Sequence, residues 1–146
     1  MTVFKKILVP YDFSPSADAA LATAGDLAAL HGGSLRVLHV MPPIRPAHGR
    51  PLPPPAGDIA AARERLTAVV ARMATRRKLR RVASDIAIGP PVACILEAAA
   101  KSDAIVMGTL GQTGLARLLI GSVAERVVRH AAVPVLTMRA PARRRR

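Results

Sequence analysis

The sequence predicts a doubly wound α/β fold: a five-stranded parallel sheet with helices on both faces and strand order 3-2-1-4-5. Three observations lead there. Ile7-Leu8-Val9 and Ala104 to Met107 are short, continuous apolar runs, the pattern of strands buried on both faces. Between such runs lie longer stretches with apolar residues at helical spacing. Strand-like and helical segments alternate along the chain, five of one and four of the other, which is the order of a layered parallel sheet.

The elements follow in turn. After Ile7-Leu8-Val9, Ser14-Pro15-Ser16 supplies capping hydroxyls and a proline suited to a helix's first turn. Ala20, Leu21, Ala24, Leu27 and Ala28 make the helix stripe, and Gly32-Gly33 ends it. Leu35 to Val40 reads as the second strand, completing a right-handed βαβ start. Residues 41–56 carry seven prolines between Pro42 and Pro55, which excludes helix and central strand. A mobile surface loop with extended character is expected there, equally a spacer or a lid.

Asp58 is expected to cap a helix running to Lys78, with Ile59, Ala62, Leu66, Val69, Val70 and Met73 on one stripe. Val82, Ser84, Ile86 and Ile88 share one face of an edge-side strand. Gly89-Pro90-Pro91 turns into a helix bearing Val92, Ile95, Leu96 and Ala99, with Cys94 as a small core residue. Ala104 to Met107 is the fourth strand. Ala124, Val127, Val128 and Ala131 mark the last helix, which Pro134 ends before the fifth strand, Val135 to Met138.

With 146 residues the chain has the length of one domain, expected over 1–139, followed by a basic, disordered tail over 140–146. One cysteine excludes a disulfide scaffold and fits a reducing compartment. No apolar run approaches the roughly 18 residues of a membrane span, and the start is too short for a signal-peptide core, so a cytoplasmic protein is expected. Charge is lopsided, with 22 basic against 9 acidic residues and a net +13. Ten of the cations fall in two clusters: Arg76, Arg77, Lys78, Arg80 and Arg81, then Arg139 and Arg143 to Arg146. Such clusters are either solvated surface or a seat for a polyanion. No aromatic residues interleave with them, so stacking of nucleic-acid bases is excluded.

In doubly wound folds ligands bind beyond the carboxyl ends of the strands, where the strand order reverses. The segment after the fourth strand runs Gly108-x2-Gly111-x9-Gly121-Ser122-Val123-Ala124. Gly108 and Gly111 let backbone amides approach an anion, and Gly121-Ser122 opens the last helix with free amides and a hydroxyl. Plain turn chemistry fits the glycines as well. It is neither a Walker A loop nor a dinucleotide fingerprint. The spacing, with Val123 and an amphipathic helix ending before Pro134-Val135-Leu136, resembles the ATP-binding signature of the universal stress protein family. The start Ile7-Leu8-Val9-Pro10-Tyr11-Asp12-Phe13-Ser14 resembles that family's first strand and turn.

The resemblance implies that Pro10 and Asp12 hold adenosine, that Val40 lies over the adenine, and that Met107 and Gly108 line the ribose side. It places Gly111, Gly121, Ser122, Val123 and Ala124 around the phosphates of ATP, which would themselves hold Mg2+ or Mn2+. Leu110 and Gln112 stand where the family often carries basic residues, and Arg117 is a substitute cation. A homodimer through Val135 to Met138 is also implied. The expected function is an ATP-binding stress-response regulator acting by nucleotide-dependent conformational change, at most a slow ATPase. The alternative is a polyanion-binding protein with an unused nucleotide pocket, its anionic partner held by Arg143 to Arg146. The four histidines are too scattered for a metal site, and His39 is expected to be a hydrogen-bonded interior ring. No catalytic constellation is found.

Overall fold

A computed structural model describes residues 4–109 and 121–141. The elements are β1 (Lys6–Pro10), α1 (Pro15–His31), β2 (Ser34–Met41), α2 (Ala56–Arg77), β3 (Val82–Ile88), α3 (Pro91–Ala99), β4 (Ala104–Gly108), α4 (Ser122–His130) and β5 (Val135–Met138). The strands form one parallel sheet in the order β3-β2-β1-β4-β5, as the sequence predicts. Side chains of a strand alternate between faces. Ile7, Val9, Leu35, Val37 and Val106 accordingly pack with α1 and α2, while Leu8, Leu38, Ile105 and Met107 pack with α3 and α4. Val82 and Ile86 of the edge strand β3 turn to the first of these faces. Among the described residues no helix is long and apolar enough to cross a membrane.

Local chemistry sets most boundaries. Ser14 Oγ accepts from Ala17 N at 3.1 Å as the N-cap of α1, and Gly32 ends the helix in the left-handed region at φ 59°. Two expectations are corrected. Asp58 does not cap α2; the helix begins two residues earlier, directly after Pro55, and Asp58 N donates to Pro55 O at 3.0 Å. Its carboxylate lies in the first turn, where the helix dipole favours it. The proline-rich segment is not simply extended. Ile44 and Leu52 exchange two antiparallel backbone bonds of 2.8 and 2.9 Å, and Pro54 is buried. The prolines still allow this, because Ile44 and Leu52 both keep their N–H.

The centre of the sheet holds two close constraints. β1 pairs with β4 only at Ile7↔Ala104 and Leu8↔Ile105, although β4 continues to Gly108. Peptide groups alternate sides along a strand, and Tyr11 N points to β2, donating to Leu38 O at 2.8 Å. Residue 10 therefore points towards β4, and as proline it has no N–H to give. The two strands part there. Beside the gap, β4 runs against the first turn of α1: a Cβ on Gly108 would meet Ser16 Oγ and lie 2.8 Å from Ala17 N. Gly108 is thus needed first for packing against α1, a role that the glycine spacing did not indicate.

Gly25 offers the contrast, since a Cβ there would meet only the Arg77 and Met73 side chains. Gly108→Ala is expected to lower stability by about 1–3 kcal/mol, because backbone rather than a movable side chain must yield. Gly25→Ala should change it by less than about 1 kcal/mol, as helix propensity offsets the displaced side chains. Urea unfolding of both variants checks this; an equal loss would contradict it.

Candidate functional site

Where β1 and β4 part, at the carboxyl ends of the central strands, lies a cavity of about 290 Å³. That is the switch point, since the chain winds from β1 outwards through β2 to β3 and then returns to β4 on the other side. Pro10, Tyr11, Asp12, Ser14 and Ala17 line it from β1 and α1, and Leu38 and Val40 from β2. Pro91 and Ile95 of α3 form another wall, with Met107, Gly108 and Thr109 of β4. Gly121, Ser122, Val123 and Ala124 close the end.

Its chemistry is uneven. Gly121 N donates to Thr109 O, and the first intrahelical bond of α4 runs from Glu125 N to Gly121 O at 2.9 Å. The amides of Ser122, Val123 and Ala124 precede that bond, and among the described residues no side chain caps α4. They gather partial positive charge at the cavity's end. Thr109 is tied to β5 through its N and Oγ1, at 2.9 and 3.2 Å from Met138 O. Asp12, on the turn after β1, is the one charged side chain lining the cavity among the described residues, and its Oδ1 accepts from Ser14 N at 3.0 Å. Val40, Leu38, Ile95 and Met107 contribute apolar lining.

The profile of the universal stress protein family matches residues 4–139. The chain belongs to that family. A universal stress protein of Thermus aquaticus is 36% identical over 139 residues, covering 94% of this chain and all of its own. One of Mycolicibacterium smegmatis is 31% identical over 139 residues, which are 91% of this chain and 45% of that protein. The solved structure of UspA from Lactobacillus plantarum superposes with a TM-score of 0.77 at 27% identity, covering 95% of this chain and all of that one. The fold is also that of an Archaeoglobus fulgidus universal stress protein solved in complex with dAMP, at TM-score 0.69, 24% identity and coverage of 94% and 99%.

Against the family expectation, nine of the ten candidate residues line the one cavity: Pro10, Asp12, Val40, Met107, Gly108, Gly121, Ser122, Val123 and Ala124. Gly111 lies outside the described residues, as do Leu110, Gln112, Arg117 and Arg143 to Arg146. The spacing did not single out Leu38, Ile95 or Thr109. Leu38 had a usable signal, being two residues before Val40 and so on the same strand face. Ile95 reads only as core stripe, because nothing local tells a cavity wall from packed interior.

The turn bearing Asp12 is held from outside the cavity. Phe13 takes a left-handed φ of 64°, costly for a residue with a Cβ. Its ring lies under the Arg65 guanidinium at 4.0 Å and edge-on to His39 at 5.0 Å. His39 Nδ1 lies 2.8 Å from Tyr11 O, so that nitrogen carries the hydrogen. His39 is thus hydrogen-bonded, as expected, but half-buried rather than interior. Tyr11 OH donates to Asp18, and burial together with that bond holds the phenol well above the usual tyrosine range. Cys94 is no exposed thiolate either; burial raises its pKa.

Tyr11 gives a pH prediction. The unfolded phenol ionises near pH 10, whereas the folded one stays protonated to higher pH, so its contribution is full below about 10 and lost as pH rises above it. The extra slope approaches about 1.4 kcal/mol per pH unit where the unfolded phenol is ionised and the folded one is not. Tyr11→Phe should cost about 1 kcal/mol at neutral pH and lack that slope. Urea midpoints of both proteins across the alkaline range test it; parallel curves would show that the folded phenol ionises freely.

Proposed function

We propose that the chain is an adenine-nucleotide-binding regulatory protein, taking ATP in the switch-point cavity. The observation that carries this is one cavity lined both by the α4 amino terminus, without a side-chain cap among the described residues, and by the Asp12 carboxylate. Amides of Ser122, Val123 and Ala124 suit phosphate oxygens, and the Ser122 hydroxyl adds a donor. Asp12 suits sugar hydroxyls, which donate to a carboxylate. Val40, Leu38 and Ile95 supply apolar cover for a flat heterocycle. A divalent cation would be held by the phosphates: among the described residues no group of three or more His, Cys, Asp or Glu is placed to hold a metal ion.

Among the described residues the lining holds no general base beside the α4 amides, and the reading we propose is binding rather than turnover. Signalling would require a partner that prefers one of the two states, because a ligand shifts an equilibrium only by its differential affinity. The β5 edge is the proposed homodimer surface. It is unpaired among the described residues, and Leu136 on it is exposed, as is Val128 of α4. A cytoplasmic setting, with a single free thiol at Cys94, fits the same reading.

Calorimetric titration with ATP is the test. Binding of one ATP per chain is expected, weakened at least about tenfold by Gly121→Val with Ser122→Ala, since a charge-assisted bond contributes about 1.5–3 kcal/mol and the valine obstructs the amides. Asp12→Asn should weaken ATP but leave inorganic triphosphate unchanged. No heat with wild type, or equal affinity in the variants, would defeat the proposal.

A further inference from the structure

At the opposite, amino-terminal end of the sheet lies a second concavity, of about 450 Å³. It exists because of helix length. α3 has nine residues, spanning about 13 Å, whereas β2 has eight and spans about 26 Å. The α3 side of the β2–β3 pair is therefore left uncovered at its start, where Arg36 pairs in register with the exposed Ala83. Lys6 of β1, Arg36, Arg80 and Arg81 of the α2–β3 turn, and Lys101 and Ser102 of the α3–β4 turn all line this groove.

The charges there are unbalanced. Among the described residues Asp85 is the one acidic residue in the lining, engaged with Arg36 at 2.8 Å, and the neighbouring Asp103 carboxylate accepts from Lys6 N at 2.9 Å. Arg77, which belongs to the same sequence cluster, is spent elsewhere: its Nε donates to Asp26 at 2.8 Å, and its stem packs on Gly25. Lys6, Arg80, Arg81 and Lys101 remain, all exposed and all facing one hollow. Four like charges in a concave site raise one another's energy and focus a positive potential, which an anion relieves. A second copy of this basic chain cannot do so, nor can its arginine-rich end.

We propose that this groove is a second anion site, separate from the nucleotide cavity, which takes a chain of phosphates such as a nucleic-acid backbone or inorganic polyphosphate. Arginine forks match phosphate oxygens two at a time, and the Ser102 hydroxyl adds a donor. No aromatic ring lines the groove, so the bases of a nucleic acid play no part. From Lys6 to Pro10 along β1 is about 13 Å, enough for both ends of the sheet to be occupied together.

The test uses the full chain and a fluorescent single-stranded DNA followed by anisotropy. Three proteins are compared: wild type, the groove variant Arg80→Gln/Arg81→Gln/Lys101→Gln, and a charge-matched control, Arg45→Gln/Arg63→Gln/Arg72→Gln, altered at exposed positions outside the groove. The groove variant should bind at least about tenfold more weakly at low salt, with the slope of log K against log salt flattened by about 2, while the control changes less than about twofold. Lys101→Glu alone should weaken binding in the same direction, and circular dichroism verifies that each variant is folded. Polyphosphate should displace the DNA, polyglutamate should not at equal charge, and the tighter of DNA and polyphosphate at equal phosphate marks the natural source. Saturating ATP should leave the DNA bound. Equal losses in groove and control variants, displacement by polyglutamate as readily as by polyphosphate, or displacement by ATP would each overturn the proposal. The outcomes for the variants and for the two polyanions do not depend on whether the cavity at the other end binds ATP.

Discussion

A single missing hydrogen-bond donor shapes the functional end of this molecule. Pro10 is the last residue of the central strand, and its peptide faces β4 with no N–H to offer. The β1–β4 ladder stops two residues short, and the space between the separating strands is the cavity. What keeps that opening from spreading is the contact beside it. Gly108 lets β4 lie directly on the first turn of α1, where Ser14 caps the helix and buries its hydroxyl. The sheet is thus open at one point and tightly closed next to it. An open sheet needs such a point to hold a ligand without exposing its core.

Much of this was legible in the chain. Strand and helix count and both faces of the core follow from apolar runs and helical stripes, because burial on two faces or on one leaves different periodicities. The cavity's corners were legible too, through Gly121-Ser122 and Pro10-Tyr11-Asp12. What was not legible depended on approach distances between distant segments. Gly108 looks like a glycine that makes room for an anion, yet its absent Cβ makes room for Ser16 and Ala17, more than ninety residues away in sequence. Ile95 looks like core until α3 is placed over the gap. The Ile44–Leu52 bridge was hidden by its prolines, since only the two residues that make it keep the necessary donors in register.

The two ends of the sheet carry opposite economies of charge. At the carboxyl ends, positive potential comes from backbone amides of α4, and the lining contributes one carboxylate. At the amino ends it comes from side chains on four separate segments, brought together only by folding. The sequence clusters blurred this division, because Arg77 counts as one of five neighbouring cations yet serves to pin α2 on α1. The first end is the one that the resemblance to the universal stress protein family pointed to in the sequence. The second is a property of this chain's own residues.

The central claim is that the uncapped amides of α4 receive the phosphates of a nucleotide. Amide hydrogen exchange at Ser122, Val123 and Ala124, measured with and without saturating ATP, addresses it directly. Exchange at these three positions should slow strongly on binding, more than at the far end of α4 near His130, because they precede the first intrahelical bond and would gain phosphate oxygens as acceptors. Unchanged exchange there, with ATP demonstrably bound, would place the phosphates elsewhere and contradict the account.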